Sequence, residues 1–131
     1  MSRVKLEVEV DYGEVEEAIK KLAKQLGPEQ VEPVLFDAAG IITEESRRRA
    51  PVEDGTLRDA HVTRQMDRGS YGGPAPSIAA IDRKKAPHAH LVEDGTSKMP
   101  ATPYFRPAVD TSKGKVAKAI ESGLRRLVGQ L

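Results

Sequence analysis

Leu57-Arg-Asp-Ala-His-Val-Thr-Arg-Gln-Met66 and Ser77-Ile-Ala-Ala-Ile-Asp82 are the two stretches that decide the fold class. The first carries β-branched Val62 and Thr63 and reads as a strand over 57–66, although its alternation is imperfect. The second carries Ile78 and Ile81 and reads as a short strand over 77–82, with Arg83-Lys84-Lys85 as the polar turn after it. Between them, Arg68 to Ser77 holds Gly69, Gly72, Gly73, Pro74 and Pro76 around Tyr71. No core can be built from that composition, so 68–77 reads as a flexible Gly/Pro loop suited to an interaction arm.

Upstream, Val4, Leu6, Val8 and Val10 alternate with Lys5, Glu7, Glu9 and Asp11, which predicts a half-buried strand over 3–10. Asp11 then offers an N-cap with Glu14 as its capping-box partner. Val15, Ile19, Leu22 and Leu26 follow at helical spacing, and Gly27-Pro28 closes that helix, with Gly27 as a left-handed cap. A second helix is predicted over 29–49 from Val31, Val34, Leu35, Ala38, Ile41 and Ile42, with Pro33 near its start. Ala38-Ala39-Gly40 offers a small-residue surface for close packing. Arg47-Arg48-Arg49 sits at the negative end of the helix dipole and reads first as a solvated helix end, second as a basic patch.

Downstream, Ala86-Pro-His-Ala-His-Leu-Val92 reads as a helical turn from Pro87 that puts His88, Leu91 and Val92 on one face and closes at Gly95. Ser97 to Pro103 is a twice-proline-broken extended loop. A long last helix begins between Pro103 and Pro107. Its apolar stripe is Val116, Ile120, Leu124, Leu127 and Leu131, and its opposite face carries Lys113, Lys115, Lys118, Arg125 and Arg126. Val-Glu-Asp-Gly-Thr occurs at 52–56 and again at 92–96 without matching flanks, so it is turn chemistry used twice. The order β-α-α-β-β-α predicts an α+β domain over 1–131, with a small antiparallel or mixed sheet packed with two N-terminal helices and a long C-terminal helix.

Composition narrows the function. The 131 residues carry 21 Lys+Arg against 20 Asp+Glu, a balance that argues against a dedicated nucleic-acid binder. No apolar run reaches the roughly 18 residues a membrane helix needs, and the N-terminal residues lack a signal-peptide core. With no Cys, disulfide scaffolds and thiolate chemistry drop out together. Aromatics are only 4%, with no Trp, which predicts a thin core for a lone domain.

Reactive constellations are weak. His88-x-His90 followed by Glu93 has metal-ligand residue types, but on a helical turn two imidazoles at i and i+2 diverge by roughly 200°. Gly69-Ser70-Tyr71-Gly72 lacks nucleophile-elbow spacing, and Gly72-Gly73 runs into Pro rather than into a phosphate-binding Lys. Glu16-Glu17 and Glu44-Glu45 are helix neighbours that face apart as solvated charges. Arg47–Arg49, Arg83–Lys85 and the last helix could merge into a basic surface, yet no aromatic platform or helix-turn-helix accompanies them. The expectation is a non-enzyme with no metal and no cofactor. The alternatives are a small metal-dependent enzyme using His88, His90 and Glu93, or a DNA-associated accessory protein.

The segment Ala86 to Ala108 resembles the signature of the tailed-phage family whose type member is gene product 10 of phage HK 97. That family shows a tyrosine-x-x-valine-glutamate-phenylalanine-glycine-threonine element and then a loop of the form Met-Pro-Ala-x-Pro-Phe-Leu-Arg-Pro-Ala. The matching positions are Val92, Glu93, Gly95, Thr96, Met99, Pro100, Ala101, Pro103, Arg106, Pro107 and Ala108. Upstream, Ala50-Pro51 and Gly55-Thr56-Leu57-Arg58 parallel a second family element, so the resemblance spans about residues 5 to 130. The family's phenylalanine after the glutamate is replaced here by Asp94. The resemblance implies a structural virion protein, assembled in the bacterial host cytoplasm as a homo-oligomeric ring at the head–tail junction or upper tail. Its implied partners are connector or head-closure proteins and tail-terminator or tail-tube proteins, with DNA only as passing cargo. The loop 93–106 is then the candidate docking segment, with Glu93, Gly95, Thr96, Met99, Pro100, Pro103, Tyr104 and Arg106 as its interaction residues. Pro100 and Pro103 pre-set its backbone, Met99, Tyr104 and Phe105 offer apolar anchors, and Arg106 a forked donor. Tyr104 and Phe105 have a second reading, as staples of the last helix.

Overall fold

The computed structural model describes residues 17–51, 55–68 and 73–131. The strand expected over 3–10 and the cap at Asp11 lie outside them. Helical residues 17–23 form α1, followed by α2 (Pro28–Arg49), α3 (Thr56–Asp59), β1 (His61–Gln65), β2 (Ser77–Ile81), α4 (Ala89–Asp94) and α5 (Phe105–Gly129). Among the described residues the protein is α+β, with one two-stranded antiparallel sheet in the register His61↔Ile81 to Gln65↔Ser77.

α2 is the spine. Pro28 opens it at a position whose missing N–H costs nothing, and Pro33 sits in its second turn. Gly27, expected as a left-handed cap of α1, instead has φ −78° and is the N-cap of α2, its N–H donating to Gln30 Oε1 at 3.0 Å. The helix does not need the left-handed conformation there because the chain turns through extended backbone straight into α2.

The strand expected over 57–66 divides. Gly55, at φ +79°, lets the chain turn into the single helical turn α3, and Asp59 and Ala60 N–H groups donate to the Gly55 and Thr56 carbonyls at 2.9 and 3.0 Å. Leu57 is buried by that turn. The imperfect alternation of 57–60 is thus helical, and the period of two holds only from His61.

β1 lies on α2 through polar pairs rather than an apolar seam. Thr43 and Thr63 hydroxyls meet at 2.7 Å, and Ser46 Oγ lies 2.7 Å from His61 Nε2. Gly40 leaves room for Thr63 beside the helix. At the far end of the hairpin, buried Glu32 accepts from Arg68 Nε at 2.5 Å, from Arg68 Nη2 at 2.8 Å and from the Ala75 N–H at 2.7 Å. One carboxylate therefore clamps both the outgoing and the returning limb of the 68–77 loop.

Two apolar clusters flank this seam. One joins Leu26, Val31 and Leu124 with half-buried residues of α1, α2 and α5, including Ile19, Leu22 and Leu127. The other joins Ala50, Leu57, Ala60, Ala86, Ala89 and Tyr104, with Ile81, Val92 and Phe105 packed against it. Leu131, expected in the α5 stripe, lies beyond the helix end and is 74% exposed. The cationic face of α5 is exposed as expected. Arg47, Arg48 and Arg49 are turned back on their own helix, to Glu44 at 2.6 Å and to Glu45 at 2.5 and 2.7 Å. Glu45 is held below the usual carboxylate range, chiefly by its hydrogen bond from Arg49, which outweighs burial.

Candidate functional site

α4 and the loop into α5 form one continuous structure. The helix starts at Ala89 rather than Pro87, so its inward face is Ala89, Val92 and Glu93 instead of the expected His88, Leu91 and Val92. His88 and His90 are exposed, and Leu91 is 39% exposed. Gly95 ends the helix at φ +79° and ψ 174°, with its N–H on the Leu91 carbonyl at 2.8 Å. A Cβ there would sit 2.6 Å from the Ala101 backbone nitrogen, so only glycine fits on both counts.

Glu93 is the organising residue. Its Oε1 accepts the N–H groups of Tyr104 and Phe105 at 3.0 and 2.9 Å, and its Oε2 accepts that of Arg106 at 3.1 Å. Those donors are among the first N–H groups of α5, which have no partner within the helix, so Glu93 caps a helix that begins twelve residues downstream of it. Burial alone would raise its pKa. The three backbone donors and the Arg106 charge outweigh that and hold it below the usual carboxylate value.

Tyr104 is core, with 2% of its surface exposed. Its hydroxyl donates to the Ala89 carbonyl at 3.1 Å, and its ring meets His61 edge-on at 5.7 Å. Burial, with help from the Glu93 and Asp94 charges, pushes its phenol up to about 12. Thr96 shapes the loop: its N–H reaches the Met99 carbonyl at 2.8 Å, and its Oγ1 accepts the Lys98 and Met99 N–H groups at 3.2 and 3.1 Å. The Thr102 N–H then pins the loop to the Val92 carbonyl at 2.8 Å.

Of the eight expected interaction residues, Glu93, Gly95, Thr96 and Tyr104 thus have internal partners that build the loop. A buried Tyr104 offers no surface anchor in the isolated chain, and Phe105 packs on the same cluster. Met99, Pro100, Pro103 and Arg106 face outward, Met99 with 43% of its surface exposed. Arg106 is ion-paired with Asp94 and approaches Glu93 at 3.9 Å. Thr102 also shapes this corner, through its N–H on the Val92 carbonyl, without having been singled out. Beside it lies an open groove of about 670 Å³ between the end of β2, α4 and Phe105.

The metal-ligand reading finds no geometry to support it. Both Glu93 oxygens are occupied by backbone donors, and no group of three or more His, Cys, Asp or Glu among the described residues is placed to hold a metal ion. No helix among the described residues is long and apolar enough to cross a membrane.

Comparison with curated proteins and with solved structures found no match. Residues 13–95 match the family described as "Bacteriophage HK97-gp10, putative tail-component". That span takes in Ala50-Pro51, the Gly55 turn, the hairpin and α4, and it ends on Gly95; the outward loop residues Met99, Pro100, Pro103 and Arg106 lie beyond it. The chain belongs to the HK97-gp10-like family of bacteriophage tail components.

Proposed function

We propose that the protein is a non-enzymatic, ring-forming subunit of the phage head–tail junction or upper tail. It would assemble through contacts with copies of itself and with connector or head-closure proteins and tail-terminator or tail-tube proteins. DNA passes through the lumen without being gripped. The supporting observation is the prefolded loop: Glu93, Gly95, Thr96 and Thr102 spend their hydrogen bonds and backbone geometry on fixing it, while Met99, Pro100 and Pro103 face outward. A loop already ordered in the free subunit loses little entropy on docking. An exposed thioether followed by two rigid prolines is a suitable apolar anchor.

Light scattering across a concentration series, alone and mixed with neck and tail-tube proteins of the same phage, tests the reading. A defined oligomer or a stoichiometric complex is expected. Met99→Asp should weaken that assembly at least tenfold while leaving the helical circular dichroism unchanged. A strict monomer at high concentration that also ignores those partners overturns the proposal.

A further inference from the structure

Among the three histidines, His61 alone is buried, 3% exposed at the junction of α2, α3 and β1. Its two ring nitrogens are both engaged, and their partners fix its protonation. Nδ1 lies 3.0 Å from the Leu57 carbonyl and 3.2 Å from that of Arg58. Carbonyl oxygens only accept, so Nδ1 carries the hydrogen. Nε2 must then accept the hydroxyl hydrogen of Ser46, a residue with 0% exposure. The neutral ring is satisfied on every side.

A second proton would undo this. Nε2 would become a donor, Ser46 would have to turn into an acceptor, and the hydroxyl hydrogen would lose its partner. The new charge has no carboxylate in contact among the described residues. From α2 it faces Glu44, already held by Arg47 at 2.6 Å, and Arg47 itself, whose guanidinium donates to the His61 carbonyl at 3.3 Å. From α3 it faces peptide carbonyls, from β2 the apolar Ile81, and from the α5 side the edge of the Tyr104 ring, whose hydroxyl is spent on Ala89. Burial, aided by Arg47, holds the imidazole below its ordinary value against the smaller pull of the two carbonyls and Glu44.

The other attachments of the hairpin lack this sensitivity. Arg68 and the Ala75 N–H bring Glu32 down to about 2, so the far clamp stays ionised in mild acid. The Leu26–Val31–Leu124 cluster between the helices contains no titratable group.

We propose that His61 is an acid-sensitive pin: in mild acid the α3–β1 joint parts from Ser46 and Tyr104 while the α2–α5 pair and the Glu32 clamp stay closed. The sign follows from linkage. The opened joint takes up a proton near the ordinary histidine value of 6.5 and the closed joint only below it. Opening is therefore favoured as pH falls through 6.5, and the effect saturates below the closed-state value. Each pH unit between the two values multiplies the opening constant tenfold.

The test is an NMR titration of the intact chain from pH 8 to 4.5, with amide-exchange protection factors at each step. Protection at Val62 and Arg64 is expected to fall relative to Leu124 by up to tenfold per pH unit as pH drops through 6.5, with the His61 ring of the closed state still neutral at 6.5. His61→Gln, which keeps one donor and one acceptor but cannot charge, should abolish that pH dependence. Protonation of His61 at or above 6.5 in the native state, or β1 protection that does not change relative to Leu124, overturns the proposal. Should His61→Gln fail to fold, the wild-type measurements decide alone.

Discussion

A single carboxylate, Glu93, joins α4 to the start of α5, and its removal is the sharpest test of the loop as a built object. Glu93→Ala leaves three N–H donors of the α5 N-terminus without their partner and should cost about 2 kcal/mol, by analogy with strong helix caps and buried unpaired donors. Urea unfolding measures it, and Glu93→Gln, which keeps acceptor oxygen without the charge, should lose less. Because the native carboxyl sits below its ordinary value, Glu93 stabilises the fold above the usual carboxylate range, and that contribution is lost as pH falls through the native value. Gly95→Ala should cost about 1–3 kcal/mol through left-handed strain, and more if the Ala101 backbone cannot move. The importance of these positions was legible in the sequence through their pattern, but their direction was not. Glu93 caps a helix beginning twelve residues away, beyond the reach of any local capping motif. Tyr104 is buried because Ala60, Ala86 and Ala89 leave a ring-sized space, and that space exists only once three separate segments have met.

At the scale of elements, strong periodicity carried the reading. α2 and α5 were legible because their stripes run for many turns between clear breakers, Gly27-Pro28 and Ala50-Pro51 at one helix and Pro103 at the other. The four-residue α3 was not, since a single turn has no period to display and its decisive feature is the positive φ of Gly55. Two glycines of α5 separate propensity from packing. A Cβ on Gly114 would meet nothing within 4 Å, so Gly114→Ala should stabilise by about 0.5–1 kcal/mol through helix propensity alone. A Cβ on Gly123 would lie 2.7 Å from Val34 Cγ1, so the same substitution there should prise α5 from α2 and come out net destabilising. Opposite shifts of the two urea midpoints are expected. Equal stabilisation would mean that the helix contact at Gly123 is loose.

At the scale of the whole molecule, the interior built by the described residues is thin for a physical reason visible in its side chains. Of the fourteen buried apolar residues among those described, nine are alanines, and the apolar burial is split between two clusters separated by a hydrogen-bonded seam. Alanine gives close approach of backbones but little area, at about 25 cal/mol per Å² of apolar surface removed from water. The scarcity of aromatics, readable from composition, thus has a structural counterpart. Half-exposed Phe36, Met66, Ile78, Leu91 and Met99, with the more exposed Leu131, are the large apolar side chains left over among the described residues. The proposed assembly would cover such surface and stabilise the fold, and mass action makes that gain depend on concentration. Once protein concentration exceeds Kd, a further hundredfold rise adds about 2.7 kcal/mol per site to an associating subunit. For a chain of this length that moves Tm by roughly 10 °C. Calorimetry from dilute to concentrated protein should therefore show Tm climbing, and Met99→Asp should flatten the climb if the loop lies in the contact. A Tm that is both high and independent of concentration would mean that these two small clusters suffice on their own, and the case for burial shared between subunits would fall with it.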